Sequence, residues 1–240
     1  MTDVRIFGII PARGGSKGVP RKNIREVGGK PLIAWTIGEA QQSRYIHRLV
    51  VSSDDDEILA VSAQYGCETL KRPAELAQDD TSAYDVVAHA LQHERSCTHF
   101  VLLQPTSPLR TREDIDRCIE ICLEQDAPAC VSVCEAETSP YWMYTIHEDG
   151  RLSPVLHSDS ALFTRRQLAP AVYALNGAVY VARANWYLRS KTFVTDDTLS
   201  YVMPPERSID IDTPFQLEFA DYWIKRQKKN GSGLSGLADT

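Results

Sequence analysis

Val4-Arg-Ile-Phe-Gly-Ile-Ile-Pro-Ala-Arg-Gly-Gly-Ser-Lys-Gly-Val-Pro-Arg-Lys-Asn23 opens with a nearly continuous apolar run and ends in a glycine-rich loop crowded with cations. A run without polar alternation suits a central parallel strand covered on both faces. Between Pro11 and Lys30 stand six basic residues, Arg13, Lys17, Arg21, Lys22, Arg25 and Lys30, against the single acid Glu26, in a chain whose net charge is -6. Gly14, Gly15 and Gly18 offer backbone dihedrals closed to other residues, so that several N–H groups could face one anion while Arg13, Lys17 and Lys22 supply charge. The loop reads as a polyphosphate cradle, with an ordinary strand-to-helix connection bearing solvated lysines as the plainer alternative. A Walker P-loop is excluded because Val19-Pro20 follows Gly18 where Lys and Ser or Thr are required, and G-x-G-x-x-G is absent.

Working outward, strands and helices alternate. A helix is expected from Pro31 to about Gln42, a strand over His47–Ser53, and a helix with Ile58, Val61, Ser62 and Tyr65 on one face. Further helices follow at Thr81–Glu94 and after Thr111, where Ile115, Cys118, Ile119 and Cys122 form a stripe, with strands at Thr98–Leu103 and Ala129–Cys134. This order predicts an α/β, Rossmann-like fold, a mostly parallel sheet flanked by helices with its ligand crevice beyond the carboxyl ends of the strands. The rhythm breaks over residues 135–170, a stretch of prolines, aromatics and short extended pieces. It reads as an insertion serving as subunit interface or active-site flap, or else as a monomer's extra hairpin. Gly177–Ala182 and Leu199–Met203 resume the sheet and Thr213–Lys228 is a closing helix. The expectation is one domain over 1–229 and a disordered tail over 230–240.

With 240 residues, 43% of them hydrophobic, the chain can bury a full core. No apolar run approaches the length a bilayer requires, and Val4–Ile10 is too short for a signal sequence, so no membrane partner and a cytoplasmic location are expected. The six cysteines show no C-x-x-C pair and read as reduced core residues; Cys118 and Cys122 share a face but lack histidines at ligand spacing, so zinc is not expected. The acidic balance argues against nucleic-acid binding.

In Ser208-Ile-Asp-Ile-Asp212, extended geometry would turn Ile209 and Ile211 one way and Asp210 and Asp212 the other. Paired carboxylates suit a divalent cation, Mg2+ beside a nucleoside triphosphate; alternatively the segment is a solvated edge with Asp212 capping the next helix. Leu103-Gln-Pro-Thr-Ser-Pro-Leu-Arg110 offers an amide, two hydroxyls and a guanidinium to a polyhydroxylated ligand, unless Thr106 and Ser107 only form the turn. Arg72-Pro-Ala-Glu-Leu and Asp79-Asp-Thr-Ser82 form a polar loop on the nucleoside side, where Asp80 or Thr81 could instead cap a helix. Asp54-Asp55-Asp56 reads as an acidic first turn.

Six motifs, Pro11-Ala-Arg-Gly-Gly-Ser-Lys-Gly18, Lys22-Asn23, Arg72-Pro-Ala-Glu-Leu76, Leu103–Arg110, Asn176-Gly-Ala-Val-Tyr180 and Ser208–Asp212, resemble in order those of the acylneuraminate cytidylyltransferases, which include relatives acting on legionaminic acid. The resemblance covers nearly the whole chain. It implies a homodimer joined through the insertion, Mg2+ dependence, and transfer of CMP from CTP to the anomeric hydroxyl of a nine-carbon keto sugar acid, a nonulosonic acid. By motif, Arg13, Gly14, Gly15, Ser16, Lys17, Lys22 and Asn23 match the triphosphate and ribose contacts, and Arg72, Thr81 and Ser82 the cytidine side. Gln104, Thr106, Ser107, Arg165 and Asn176 match the sugar side, Asp210 and Asp212 the metal site, and Arg13, Lys22, Asp210 and Asp212 the catalytic set. Ala174-Leu175 and Trp142-Met143 stand where members of the family often carry cations, which points away from N-acetylneuraminate itself towards a related acid. A cytidylyltransferase for the eight-carbon acid Kdo and a non-catalytic nucleotide-binding protein are the competing readings.

Overall fold

The computed structural model describes residues 4–16, 18–156 and 170–233. Lys17 and Arg165 therefore lie outside the described residues, as does most of the tail expected at 230–240.

The apolar opening forms β1 (Ile6–Pro11), and its side chains divide between two cores. Ile6 and Ile10 face one layer of helices, whereas Phe7 and Ile9 face the other, all at 1% exposure or less. Two covered faces are why the strand shows no polar alternation. After the cationic loop come a small hairpin, β2 (Glu26–Val27) with β3 (Lys30–Pro31), and α1 (Leu32–Gln41). Next are β4 (Ile46–Ser53), α2 (Asp56–Gln64), β5 (Glu68–Lys71), α3 (Ala83–Leu91), β6 (His99–Leu102), α4 (Arg112–Glu124) and β7 (Ala129–Glu135). The excursion contributes a hairpin, β8 (Tyr144–Ile146) with β9 (Leu152–Pro154), before β10 (Tyr173–Arg183), α5 (Ala184–Ser190), β11 (Leu199–Val202) and α6 (Pro214–Gly233).

The main sheet runs β11-β7-β10-β6-β1-β4-β5. All its ladders are parallel except those of β10, which is antiparallel to both β6 and β7. That strand enters from the excursion and so returns across the sheet in the reverse sense. Besides the small β2–β3 hairpin, β5 and α5 escaped the periodicity reading. β5 is an edge strand of four residues, Glu-Thr-Leu-Lys, too short and polar to show alternation. α5 spans only seven residues.

The stripe on α4 packs as its spacing predicts: Ile115, Cys118, Ile119 and Cys122 are fully buried among Ile33, Ile37 and Val179. All six cysteines are free. The Cys118 thiol lies 3.5 Å from that of Cys130, and burial pushes the Cys122 thiol up to about 12. On the other face Phe100, Tyr187 and Phe193 make tilted and edge-on ring contacts 4.4–5.6 Å apart. A third cluster, with Val27, Leu32, Leu109, Ile211 and Ile224, seats α6 against the small hairpin and holds the preceding segment near the carboxyl ends of the strands. Among the described residues no helix is long and apolar enough to cross a membrane.

Candidate active site

A cleft of about 350 Å³ opens beyond the carboxyl ends of β1 and β6. Pro11, Arg13, Ser16, Lys22 and Asn23 form one wall, Arg72, Asp79 and Thr81 a second, and Gln104 and Thr106 the floor. Three separate sequence motifs are thereby brought to one opening.

The loop after β1 keeps its cations, but its glycines serve a different purpose from the one expected. Neither Gly14 nor Gly15 adopts a left-handed φ. At two of the loop's glycines the reason for glycine is close approach: a Cβ on Gly14 would lie 2.7 Å from Asp55 Oδ2, and one on Gly18 only 2.0 Å from the Asp212 carbonyl oxygen. Gly15 has open space around it. The Gly14 N–H is engaged already, donating to Asp54 Oδ1 at 3.1 Å. Asp54, read from sequence only as part of an acidic first turn, thus ties the loop to the end of β4, while its neighbour Asp55 is the true cap of α2 and accepts from the Glu57 and Ile58 N–H groups. No sequence spacing signals that long-range tie.

Both cations of the cleft expected to be catalytic rest on carboxylates. Arg13 donates to Asp79 Oδ1 at 2.9 Å and to the Gln78 carbonyl at 3.3 Å. Lys22 donates to the Ile211 carbonyl at 2.5 Å and to Asp212 Oδ1 at 2.9 Å. Asn23 is 5% exposed; its amide donates to the Arg13 carbonyl, which orients the loop, and its Oδ1 has no partner. Arg72, 3% exposed, stands 3.8 Å from Asp54 with its Nε unpartnered. Burial lowers its pKa, opposed by Asp54. A buried guanidinium with a spare donor at a cleft wall suits an acceptor-rich ligand.

Several other residues singled out in the sequence are engaged within the protein. Ser82 caps α3 through Asp85, whose N–H donates to its hydroxyl at 3.1 Å, and Ser82 is absent from the cleft lining. Thr81 does line the cleft, its hydroxyl donating to the Glu75 carbonyl. Ser107 is completely buried with its hydroxyl unpartnered, away from the cleft. The Arg110 guanidinium, read as a ligand group, is instead a bolt: it donates to the Gln104 carbonyl, the Ala178 carbonyl and the Thr36 hydroxyl. Burial without a contacting carboxylate brings its pKa down to about 10. Asn176 is spent internally, accepting from Ser132 and the Ala178 N–H and donating to Ser208 Oγ at 3.0 Å. Beside it Gly177 has φ +73°, with Gln104 and Asp210 close to where a Cβ would sit, so both conformation and space require glycine.

The paired carboxylates do not share one environment. Asp210 is partly buried and its Oδ1 has no hydrogen-bond partner. Burial pushes its carboxyl above the ordinary range; the Thr106 hydroxyl pulls the other way, Asp212 adds to the rise and Lys22 opposes it. Asp212 is exposed and paired with Lys22. It does not cap α6. Thr213 does, in a box with Gln216, whose Oε1 accepts from the Asp212 and Thr213 N–H groups while its own N–H donates to the Thr213 hydroxyl. Both Asp212 oxygens are thus released from helix capping.

An orphaned, part-buried carboxylate oxygen fits a divalent cation. Among the described residues no cluster of three or more His, Cys, Asp or Glu side chains would hold a metal by itself. Two carboxylates that leave the remaining positions to water and phosphate oxygens match the way Mg2+ is bound.

Known proteins share this arrangement of sequence. The family model described as Cytidylyltransferase matches residues 7–220. An N-acylneuraminate cytidylyltransferase of Escherichia coli is 34% identical over 226 residues, covering 94% of this chain and 53% of that protein. A CMP-N,N'-diacetyllegionaminic acid synthase of Legionella pneumophila is 37% identical over 218 residues, covering 88% of this chain and 92% of the relative. The chain spans about half the length of the N-acylneuraminate relatives it matches. In fold it is similar to a solved CMP:2-keto-3-deoxy-manno-octonic acid synthetase complexed with CTP, with a TM-score of 0.72 at 15% identity, covering 93% of this chain and 99% of that one. A cationic glycine loop after the first strand, a polar cleft floor and a sequence match that runs almost end to end agree: the chain belongs to the cytidylyltransferase family.

Proposed function

We propose that this protein transfers CMP from CTP to the anomeric hydroxyl of a nine-carbon keto sugar acid, releasing pyrophosphate. The observation that carries the reading is that Arg13 and Lys22 line one cleft, while Asp210, hydrogen-bonded to Thr106 on the floor of that cleft, keeps an unbonded oxygen. A triphosphate entering the cleft exchanges with Asp79 and Asp212 for those two cations. Each is held within 3 Å of a carboxylate beforehand, so the groups that meet the phosphates are ordered before the ligand arrives. Arg72 and Thr81 face the nucleoside, and Gln104 and Thr106 the sugar acid.

The reaction is an in-line displacement at the α-phosphorus: the anomeric hydroxyl gives its proton to water as its oxygen bonds to phosphorus, the bond to the bridging oxygen breaks, and pyrophosphate carries off the electron pair. Negative charge grows on the phosphoryl and leaving oxygens, where Arg13 and Lys22 stabilise it. Bound by Asp210 and Asp212, Mg2+ would neutralise phosphate charge and acidify the attacking hydroxyl. Among the described residues no histidine lines the cleft.

We also propose a homodimer built on the β8–β9 hairpin and a cytoplasmic setting. The support for the first is the exposure of Met143, Tyr144, Ile146, Leu152 and Val155 together. The support for the second is a set of free cysteines, two with sulfurs 3.5 Å apart and unjoined. The deciding experiment is pyrophosphate release from CTP and Mg2+ with N-acetylneuraminate, legionaminate, pseudaminate and Kdo. Turnover with a nine-carbon acid is expected. Turnover with Kdo alone replaces the acceptor, and CTP binding without turnover on any acid refutes catalysis.

A further inference from the structure

The segment that carries Asp210 has no regular secondary structure of its own, so its shape is set by what holds it. Immediately upstream, Arg207 ends a short 3-10 turn, Pro205–Arg207. Its guanidinium makes a two-pronged pair with Asp114, Nε to Oδ2 at 2.9 Å and Nη2 to Oδ1 at 2.8 Å. Asp114 is fully buried at the head of α4, where it also accepts from the Thr111 N–H, the Thr111 hydroxyl and the Tyr201 hydroxyl. One residue on, Ser208 is gripped by Asn176 and by the Pro204 carbonyl. On the far side, the Ile211 N–H donates to the Thr106 carbonyl at 2.9 Å. Asp210 is thus suspended between fixed points, with Arg207 the upstream one anchored by charge and the Lys22–Asp212 pair its counterpart downstream.

We infer that the pair of buried Asp114 with half-buried Arg207 is the positioning device for the Asp210 carboxylate, so that metal occupancy at the cleft depends on a guanidinium that does not line it. This rests on the reading of Asp210 as a metal ligand. Arg207 acts through the backbone: the two parallel hydrogen bonds fix both the distance and the orientation of the turn, which a single ammonium contact would not. Groups one shell removed from a metal commonly change its affinity by about 10–100-fold when lost.

The test compares Arg207→Gln, Arg207→Lys and Tyr201→Phe with the wild type, measuring Mn2+ occupancy in the presence of CTP by electron paramagnetic resonance, the Mg2+ concentration giving half-maximal rate, the KM for CTP at saturating Mg2+, and thermal unfolding. Arg207→Gln should weaken Mn2+ binding about tenfold or more. Arg207→Lys keeps the charge and so should recover thermal stability while leaving metal affinity impaired, a split that a purely structural role does not produce. Tyr201→Phe, which removes one donor to Asp114, should shift metal affinity by about two- to threefold and serves if the glutamine variant does not fold. The KM for CTP at saturating Mg2+ should stay within about twofold. Wild-type Mn2+ occupancy in a folded Arg207→Lys protein overturns the inference. Asp210→Asn separates the two levels: if it loses Mn2+ while Arg207→Lys retains it, only the positioning role falls, whereas undiminished binding in Asp210→Asn removes the metal reading and this inference with it.

Discussion

Asp114, at the head of α4, and Asp210, in the segment leading into α6, are both withdrawn from solvent, yet one carboxylate is saturated with donors and the other is not. Burial by itself works to raise both carboxyls. At Asp114 it is outweighed by the Arg207 hydrogen bonds, the Thr111 N–H and the Tyr201 hydroxyl, which hold that carboxyl below its ordinary range. At Asp210 burial prevails, and the carboxyl is held above it. Desolvation is costly unless partners repay it, so a buried carboxylate kept short of partners marks a place where something else binds. The difference separates a residue that builds the fold from one that the fold holds ready.

The strongest way to break this comparison is to remove the saturated partner. Asp114→Asn leaves Arg207 facing a neutral amide and strips a member of the α4 cap, and should cost about 3 kcal/mol of stability, read by urea unfolding. The pH dependence has a definite sign. Because the folded Asp114 pKa is depressed, its contribution is present above the unfolded value and is lost as pH falls through the folded one. The wild type should therefore lose stability on acidification below about pH 4, and the variant should show a shallower acid limb. An unchanged acid limb would show that other carboxylates control it.

Asp210→Asn should behave in the opposite way. Its folded pKa is raised, so ionisation opposes folding increasingly as pH climbs from the unfolded value through the folded one. Without ligand at pH 7 the variant should be no less stable than the wild type, while kcat falls by at least about 100-fold, equivalent to about 2.7 kcal/mol of barrier. A marked loss of stability with near-normal turnover would make Asp210 a second structural carboxylate.

A smaller effect sharpens the contact between the two walls. Gly18→Ala places a methyl against the Asp212 carbonyl oxygen and forces the cationic loop away from the carboxylate segment. Because displacements near 1 Å can cost about 100-fold, a loss of about tenfold or more in kcat/KM is expected with a modest change in melting temperature. Full activity would mean that the loop reshapes on ligand binding.

The parts of the protein legible in the chain are those whose cause is local. A strand covered on both faces must be apolar throughout, as Ile6, Phe7, Ile9 and Ile10 are, and a helix packed along one stripe must repeat as Ile115, Cys118, Ile119 and Cys122 do. The clustering of cations in a glycine loop is likewise visible in composition, before any fold is known. β5 was illegible because four polar-edged residues carry no period, and the reversed direction of β10 leaves no trace in a strand whose two faces are both buried beyond Leu175.

The site divides along the same line. From the sequence alone came the parallel-sheet framework, the Arg13 and Lys22 cations, the Arg72 and Gln104–Thr106 loops, and the suspicion that Asp210 and Asp212 belong together. Tertiary structure decided what each of them does. It turned Arg110, Asn176 and Ser107 inward, set Ser82 to capping α3, gave the capping of α6 to Thr213, tied Gly14 to Asp54, and withheld a partner from Asp210. The physical reason is that residue type fixes which hydrogen bonds and charges a side chain can offer, whereas which of them are already satisfied depends on atoms brought from distant parts of the chain.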